Sequence, residues 1–503
     1  MKKMVYNFSD LWEASVYGPE SQTISSIVYD SRDVMTHSAF VCIKGEHQNG
    51  HRFIDNAVER GASVIIGTEN ELLHTKSHLH SHITFIAVTD SKLAMAELSS
   101  LLYDSPSREL FTVGVTGTNG KTTVTSFIYS LLNALSYKTG SIGTAGIWDD
   151  KEKKDFKQTV PTTPESPDLQ HALQYYRDND LQAAIIESTS IAIAQQRLAT
   201  IDFDIAVHTN LTPEHLDFHG TIENYKKAKL QLFSAAKQAV VNLDDTGMAR
   251  DILKLNNGPI ITYGFHPEAD IRAEKIGHAA NGTSLALIFN NKKYYVQAPL
   301  FGEYNVSNLL AAIATCHLIG FTIDDILSVI YKIKSPEGRY QIIQNHTSFT
   351  IIMDYAHTPD ALTQVLQSVR ERPYNKLIVM ITGIGLRDPN KRPIMAQCVE
   401  GLADEIIVSV DQPGFADRHT VVTDVLKGFK KPEASNIHTA LYREEGIHLA
   451  LSLASKGDTV LLTGIGFGGY QIIEDQKVPY SEEKVIQDFF DIPCSDLPVL
   501  NAK

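Results

Sequence analysis

The stretch VGVTGTNGKTT, residues 113–123, decides how this chain is read. An apolar run passes into Gly-rich backbone and then into Lys-Thr-Thr, an order that predicts a strand, a tight loop and a helix over roughly 122–135. Gly117 and Gly120 permit dihedrals and close approaches that a Cβ blocks, so N–H groups of the loop, which includes Thr118 and Asn119, can turn towards one anion. Lys121 adds a mobile positive charge, Thr122 stands where its hydroxyl reaches Mg²⁺, and Thr123 completes the motif. The helix that follows offers the positive end of its dipole to the same anion. These are the parts of a loop that holds the phosphates of ATP or GTP. The general pattern asks for another Gly where this chain has Val115, so the competing reading is an ordinary Gly-rich turn. A lysine and two hydroxyls at the required register weigh against it.

Around this loop lie 503 residues, too many for one core, and at about 150 residues per domain three are expected. With 43% hydrophobic and 21% charged residues the composition is that of a globular protein. No apolar run reaches the roughly 18 residues needed to span a bilayer. The N-terminal MKKMVYNFSDLWEAS lacks the apolar core of a secretory signal. Cys42, Cys316, Cys398 and Cys494 show no pair spacing, so neither a zinc site nor a disulfide framework is expected, and a reducing cytoplasm is the plain compartment. A net charge of −14 argues against nucleic acid as a partner. An anionic ligand must then be met by local positive groups.

The chain reads as α/β throughout. Residues 1–108 form a small N-terminal α/β unit that ends in the turn-rich YDSPSR, 103–108. Over 109–336 the strand-like runs FTVGV, AAIIE, DIAVH and AVVN alternate with helical segments, which predicts a mostly parallel sheet covered on both faces. A break at KSPEG, 334–338, opens a C-terminal doubly wound α/β domain, 337–503, with runs at 349–354, 376–382, 405–410 and 458–464. No low-complexity tract or solenoid period is present.

Candidate chemistry gathers at strand ends. Glu187 closes AAIIE, where open parallel sheets place functional side chains, and fits either a Mg²⁺ ligand or a helix-capping acid. HTNLTPEHLDFHG, 208–220, carries three histidines, an Asn and two acids after another strand. His215 and His219 have the four-residue spacing of a zinc pair, but Pro213 and Gly220 bracket the run and Asp replaces the expected arrangement with its base. Lys226, Lys227 and Lys229 read, on the residues alone, as a solvated helix face. Asp354 ends a strand, and His357 precedes the helix-start signal TPD. The loop GLRDPNKRP, 385–393, suits a phosphate or a carboxylate.

Together these segments resemble the Mur ligases of peptidoglycan synthesis, most closely the MurE type. The likeness runs in order over essentially the whole chain: DSR at 30–32, GTNGKTT at 117–123, TTPES at 162–166, NLTPEHLDFHGTIENYKKAKLQLF at 210–233, NVSNLLAA at 305–312, GR at 338–339, DYAHTPDAL at 354–362 and RDPNKRP at 387–393. The resemblance implies a three-domain ligase that moves the ATP γ-phosphoryl group to a substrate carboxylate, giving an acyl phosphate that an amine attacks. Lys121 then stabilises the transferred phosphoryl, with Thr122 and Glu187 near one Mg²⁺ and His215 near a second. Lys229 matches the family lysine that CO₂ converts to a carbamate, which reverses its solvated-face reading. By the same resemblance Ser31 and Arg32 contact a uridine nucleotide. Thr162, Thr163, Gln195 and Arg197 hold the muramoyl-peptide, Asn305 and Asn308 the adenine. Arg339, Asp354, Tyr355 and His357 form the face that closes on ATP. The partners implied are a UDP-muramoyl-peptide and an amino acid, and a monomer is expected.

Three departures stand out. Ile191 replaces a usual His. The D-N-P-R motif of diaminopimelate enzymes reads Asp411-Gln412-Pro413-Gly414, without the arginine. The G-K-G-H-E run reads Gly464-Ile465-Gly466-Phe467-Gly468, without Lys, His or Glu. If Asp411, Gly414, Gly464 and Gly468 line the amine pocket, both diaminopimelate and lysine lose charged partners there, each worth about 1.5–3 kcal/mol. The expected amine is small or apolar. The alternatives are a paralogue acting on another carboxylate and a non-catalytic regulator that binds nucleotide or muropeptide.

Overall fold

The computed structural model describes residues 4–8, 11–12, 14–45, 48–157, 160–255, 258–279, 282–343, 348–464 and 469–491. It divides into two compact units, one of residues 1–271 with 310–329, the other of residues 272–309 with 330–503.

Among the described residues the first unit carries an antiparallel pair, Met4–Asn7 with Ser21–Ile24, and two larger sheets. The smaller runs Ser15–Tyr17, Thr84–Ala87, Ala62–Gly67, Ser38–Val41, Ser26–Val28, parallel except for its first strand. The larger runs Lys153–Lys154, Gly146–Trp148, Thr139–Gly143, Ala183–Glu187, Phe111–Thr116, Ile205–His208, Gln238–Asn242, Ile260–Gly264. Its strands from Thr139 to Gly264 pair in parallel, and the two outer ones add an antiparallel edge. Parallel strands carry helices on both faces, which is why these runs are continuously apolar: Val113, Val115, Ile185, Ile186 and Val207 are completely buried. Phe111–Thr116 is central, so its C-terminal end, where the Gly-rich loop begins, is flanked by the ends of Ala183–Glu187 and Ile205–His208. That adjacency is what assembles the site.

The second unit has a six-stranded sheet in the order Gln341–Ile343, Thr350–Asp354, Thr459–Thr463, Leu377–Ile384, Glu405–Asp411, Ile437–Thr439. All pairs are parallel except the first. Helices cover both faces, as two separate apolar clusters record. Two hairpins, Gly282–Phe289 with Lys292–Ala298 and Tyr470–Ile473 with Gln476–Pro479, complete it. Among the described residues no helix is long and apolar enough to cross a membrane. Cys42, Cys316 and Cys398 are free thiols, and Cys494 lies outside the described residues.

Candidate functional site

The helix Lys121–Ala134 starts directly after Gly120, whose φ of 86° turns the loop into its first turn. Lys121 folds back over its own loop, its Nζ donating to the carbonyls of Gly117 at 3.0 Å and Thr118 at 2.8 Å. Thr122 is buried and its Oγ1 donates to Glu187 Oε2 at 3.2 Å. Glu187, itself 1% exposed, also accepts from the Thr144 N–H at 2.9 Å and from Thr144 Oγ1 at 3.2 Å. The carboxylate therefore faces the phosphate loop and is not a helix cap; the cap of the next helix is Thr189, whose side chain accepts from the Ala192 N–H. Thr122 and Glu187 form an oxygen-only pair, the donor chemistry that Mg²⁺ selects. Thr144 escaped the sequence reading, since nothing in its local pattern marks it.

Lys229 corrects the charge-run reading. It lies on the helix Ile222–Ala235 and is 1% exposed, not solvated. Its Nζ donates to the Gly117 carbonyl at 2.7 Å and sits 4.6 Å from the Tyr225 ring centroid, one helical turn away. Burial, and secondarily the nearby Lys121 charge, hold its pKa well below the ordinary lysine range. Tyr225 gathers the neighbourhood: its hydroxyl meets Thr118 Oγ1 at 3.1 Å, and its ring lies 6.3 Å from that of His215 and 5.3 Å from that of His219.

The zinc alternative finds no support in this geometry. His215 precedes a four-residue helix in left-handed conformation, φ 55°, while His219 is turned to Ser190 Oγ at 3.0 Å. Among the described residues no three His, Cys, Asp or Glu side chains cluster as metal ligands.

Thr163, Gln195 and Arg197 do come together. Arg197 is buried and donates to the Thr163 carbonyl at 2.9 Å and to Gln195 Oε1 at 2.7 Å, while its Nε lies 2.9 Å from Glu165 Oε1. Glu165 was not singled out from sequence, although it sits inside TTPES. Thr162 has φ 67° and its hydroxyl meets Thr144 Oγ1 at 2.9 Å. In the N-terminal sheet region Ser31 is buried in a short turn capped by Asp30, and Arg32 is exposed with its guanidinium on Asp30. A cavity of about 500 Å³ opens here, with Arg32, Arg60, Lys157, Tyr29 and Met35 among its walls.

In the second unit Asp354 accepts from the N–H groups of Tyr340 and Ala356, both at 2.8 Å. The Arg339 guanidinium stacks 3.9 Å over the Tyr355 ring, and His357 packs edge-on to the same ring at 5.1 Å. His357 donates from Nδ1 to the Tyr355 carbonyl at 3.0 Å. Burial, then the cations of Arg387, Arg339 and Lys391, push its pKa down to about 3, so the ring is neutral at physiological pH. Asn305 and Asn308 are buried on one helix, Asn308 Nδ2 donating to Asn305 Oδ1 at 3.2 Å.

The amine-pocket expectations change most. Asp411 points inward, completely buried, 3.4 Å from Arg443 Nη1. Arg443 is equally buried and pairs with Glu482 through Nε at 3.0 Å and Nη2 at 2.7 Å, while Nη1 donates to the Thr463 carbonyl at 3.0 Å. A Cβ on Gly464 would come within 2.5 Å of Arg443 Nη1, so this glycine makes room for the buried ion cluster. Gly414 adopts φ 54°, and a Cβ there would stand 2.3 Å from Leu386 Cδ2. Its N–H donates to the Ile472 carbonyl at 3.1 Å, tying the loop to the Tyr470–Ile473 strand. Beside it Leu386 is 48% and Phe415 80% exposed, an apolar surface. Gly468, with residues 465–467, lies outside the described residues.

A phosphate loop clasped by a buried lysine and a strand-end glutamate, on a parallel sheet followed by a doubly wound unit, defines a nucleotide-dependent enzyme. Family models match in chain order: the Mur ligase family catalytic domain over residues 23–103, the Mur ligase middle domain over 115–316 and the Mur ligase glutamate ligase domain over 338–466. The UDP-N-acetylmuramoyl-L-alanyl-D-glutamate--2,6-diaminopimelate ligase 1 of Clostridium acetobutylicum is 35% identical, covering 97% of this chain and 98% of its own. Its counterpart in Clostridioides difficile is 36% identical over 94% and 96%. Among solved structures, a ligase of the same description superposes at a TM-score of 0.66 with 27% identity, covering 97% and 99%. The UDP-N-acetylmuramoylalanyl-D-glutamyl-2,6-diaminopimelate--D-alanyl-D-alanyl ligase of Acinetobacter baumannii, at 20% identity, TM-score 0.64 and 94% of each chain, shares the fold. This chain belongs to the Mur ligase family. It is an ATP-dependent acid–amino-acid ligase of three-domain α/β fold, resembling the MurE type.

Proposed function

We propose that this enzyme joins an amino acid to UDP-MurNAc-L-Ala-D-Glu, or a closely related UDP-muramoyl-peptide, and that the amine is not meso-diaminopimelate. We assign residues 1–108 to the uridine nucleotide, 109–336 to ATP and 337–503 to closure on ATP and binding of the amine, in a monomeric cytoplasmic protein. The observation that carries the reading is the convergence of Lys121, Thr122, Glu187 and Lys229 on one phosphate loop in a chain of this family.

The substrate carboxylate attacks the γ-phosphorus of ATP, the bond to the bridging oxygen breaks and ADP leaves. The acyl phosphate is then attacked by the amine, which loses a proton as inorganic phosphate departs. For the first step Lys121 leaves its loop carbonyls and follows the negative charge spreading over the phosphoryl oxygens. Thr122 and Glu187, with His215 for a second ion, would hold Mg²⁺, which supplies charge neutralisation to the phosphates. Lys229 suits carbamylation because burial shifts its amine towards the neutral form, the one that is nucleophilic. Its nitrogen bonds to the carbon of CO₂ and releases one proton, leaving a carbamate anion to support the cations and one N–H for the Gly117 carbonyl. The Arg32, Arg60 and Lys157 cavity suits the uridine diphosphate, and Arg197, held by Glu165, suits a carboxylate of the muramoyl-peptide. Neutral His357 and the Arg339–Tyr355 stack suit a face against the nucleotide.

The curated relatives are named for diaminopimelate. This chain has Gly414 where that motif carries arginine, and an apolar surface of Leu386 and Phe415 beside it. A second carboxylate and ammonium on the incoming amine then meet no charged partner at residue 414. Acceptor dependence tests the reading: phosphate release from ATP should require the UDP-muramoyl-dipeptide as well as an amine. Turnover without any muramoyl acceptor would favour a paralogue with another substrate, and no turnover with any amine would favour a non-catalytic binder.

A further inference from the structure

One residue of the loop, Asn119, has both of its backbone polar groups bonded from outside the loop. The Asn119 N–H donates to Asn210 Oδ1 at 2.9 Å, and Asn210 Nδ2 donates back to the Asn119 carbonyl at 3.1 Å. One side-chain amide thus pairs with both polar groups of a single residue, as a neighbouring strand would. Thr209 Oγ1 donates to the same carbonyl at 2.6 Å, and the Thr118 N–H donates to the Asn210 carbonyl at 2.8 Å. Thr118 Oγ1 exchanges bonds with Thr212, donating to its carbonyl at 3.0 Å and accepting from its N–H at 2.9 Å. Gly117 belongs to the same arrangement: its φ is 155°, and a Cβ there would stand 1.8 Å from Thr209 Oγ1, so only glycine lets the loop close on this threonine.

A backbone carbonyl aimed at a phosphate repels it, and a loop that samples such orientations must be ordered at the moment of binding, at an entropic cost. We propose that Asn210 and Thr209 are positioning residues of the nucleotide site. They commit the Asn119 carbonyl to the 209–210 segment and so hold the phosphate loop ready before any nucleotide arrives. This rests on the reading of residues 117–123 as that loop. It adds that the segment after the Ile205–His208 strand sets the loop's conformation from outside. Asn210 is only partly buried, which leaves its substitution compatible with folding.

The test is calorimetric titration of the full chain with ADP and Mg²⁺, comparing Asn210→Ala, Thr209→Val, Thr209→Ser and Lys121→Ala, with melting temperatures taken without nucleotide. Asn210→Ala and Thr209→Val should each weaken ADP binding by about tenfold or more, while Thr209→Ser, which keeps the hydroxyl, stays within about twofold of wild type. In turnover, Asn210→Ala should raise KM for ATP and leave KM for the muramoyl-peptide unchanged. ADP affinities of Asn210→Ala and Thr209→Val within about twofold of wild type would overturn the proposal. So would Thr209→Ser binding as poorly as Thr209→Val, or equal rises in both KM values. Undiminished ADP binding by Lys121→Ala would instead remove the phosphate-loop reading beneath it.

Discussion

Lys121 and Lys229 donate to one and the same carbonyl oxygen, that of Gly117, at 3.0 and 2.7 Å. Desolvation penalises the charged form of the more buried amine, and repulsion between the two ammonium groups adds to it. Lys229 is that one, and its pKa is accordingly held well below the ordinary lysine range. A side chain that reads as solvent-facing charge is a buried amine on the Gly117 carbonyl.

This has a consequence for stability. The unfolded chain binds a proton at Lys229 that the folded chain gives up. Folding is therefore opposed in full below the depressed folded value, and the opposition falls steadily as pH rises from there to the ordinary lysine value. Lys229→Met, apolar and of similar length, should melt higher than wild type near about pH 7 in CO₂-free buffer, with the gap narrowing towards about pH 10. A variant that melts lower than wild type at neutral pH would count against a neutral buried amine.

Carbamylation can be probed at the same position. Lys229→Ala is expected to be nearly inactive and to recover part of its turnover when short carboxylic acids supply the missing anion. Full activity of Lys229→Ala without additive would return this lysine to a packing role.

Lys121 is assigned to the nucleotide phosphates, and most of all to the charge that develops as the phosphoryl group moves. Its replacement by alanine should slow single turnover by at least roughly two orders of magnitude, the scale of losing one transition-state donor. Rates within about threefold of wild type would contradict that role.

Arg443 is a structural centre rather than a substrate ligand. Arg443→Ala leaves Asp411 and Glu482 as buried carboxylates without their cation, a loss of about 3–5 kcal/mol. Thermal melting checks it: a variant within about 2 °C of wild type would mean the cluster adds little.

Introducing the missing arginine is not a one-residue change. Gly414 has φ 54°, and any Cβ there meets Leu386 Cδ2. Gly414→Arg alone should gain little diaminopimelate use, and Gly414→Arg with Leu386→Ala should gain more, measured as kcat/KM. Equal gains from both proteins would show that Leu386 does not obstruct the site.

How far the sequence reaches is clearest at four places. The Gly-rich turn from strand to helix and the strand-end position of Glu187 are legible because Gly, Lys and Thr spacing and a closing acid are local signals. Lys229 was misread by charge pattern, yet helical periodicity held the answer: Tyr225, Ala228 and Leu232 are buried, and position 229 falls on that same stripe, while Lys227 faces solvent. Asp411 and Gly464 carried no such clue. Asp411 turns inward to Arg443, which Glu482 holds, and Gly464 leaves that arginine room; Arg443 and Glu482 each open a helix far from both in sequence. Asn210 lay inside a stretch already marked as rich in polar groups, but its pairing with Asn119 depends on two strand ends lying side by side.

The most direct measurement is amine selection by the wild-type enzyme. With ATP, Mg²⁺ and UDP-MurNAc-L-Ala-D-Glu, kcat/KM is determined for a panel of amino acids, including meso-diaminopimelate and lysine, by phosphate release and product mass. The expected result is an amide product whose best amine has a small or apolar, uncharged side chain, with diaminopimelate used weakly or not at all. Diaminopimelate as the best amine would contradict the account, and the charges it needs would then have to come from residues other than 411 and 414.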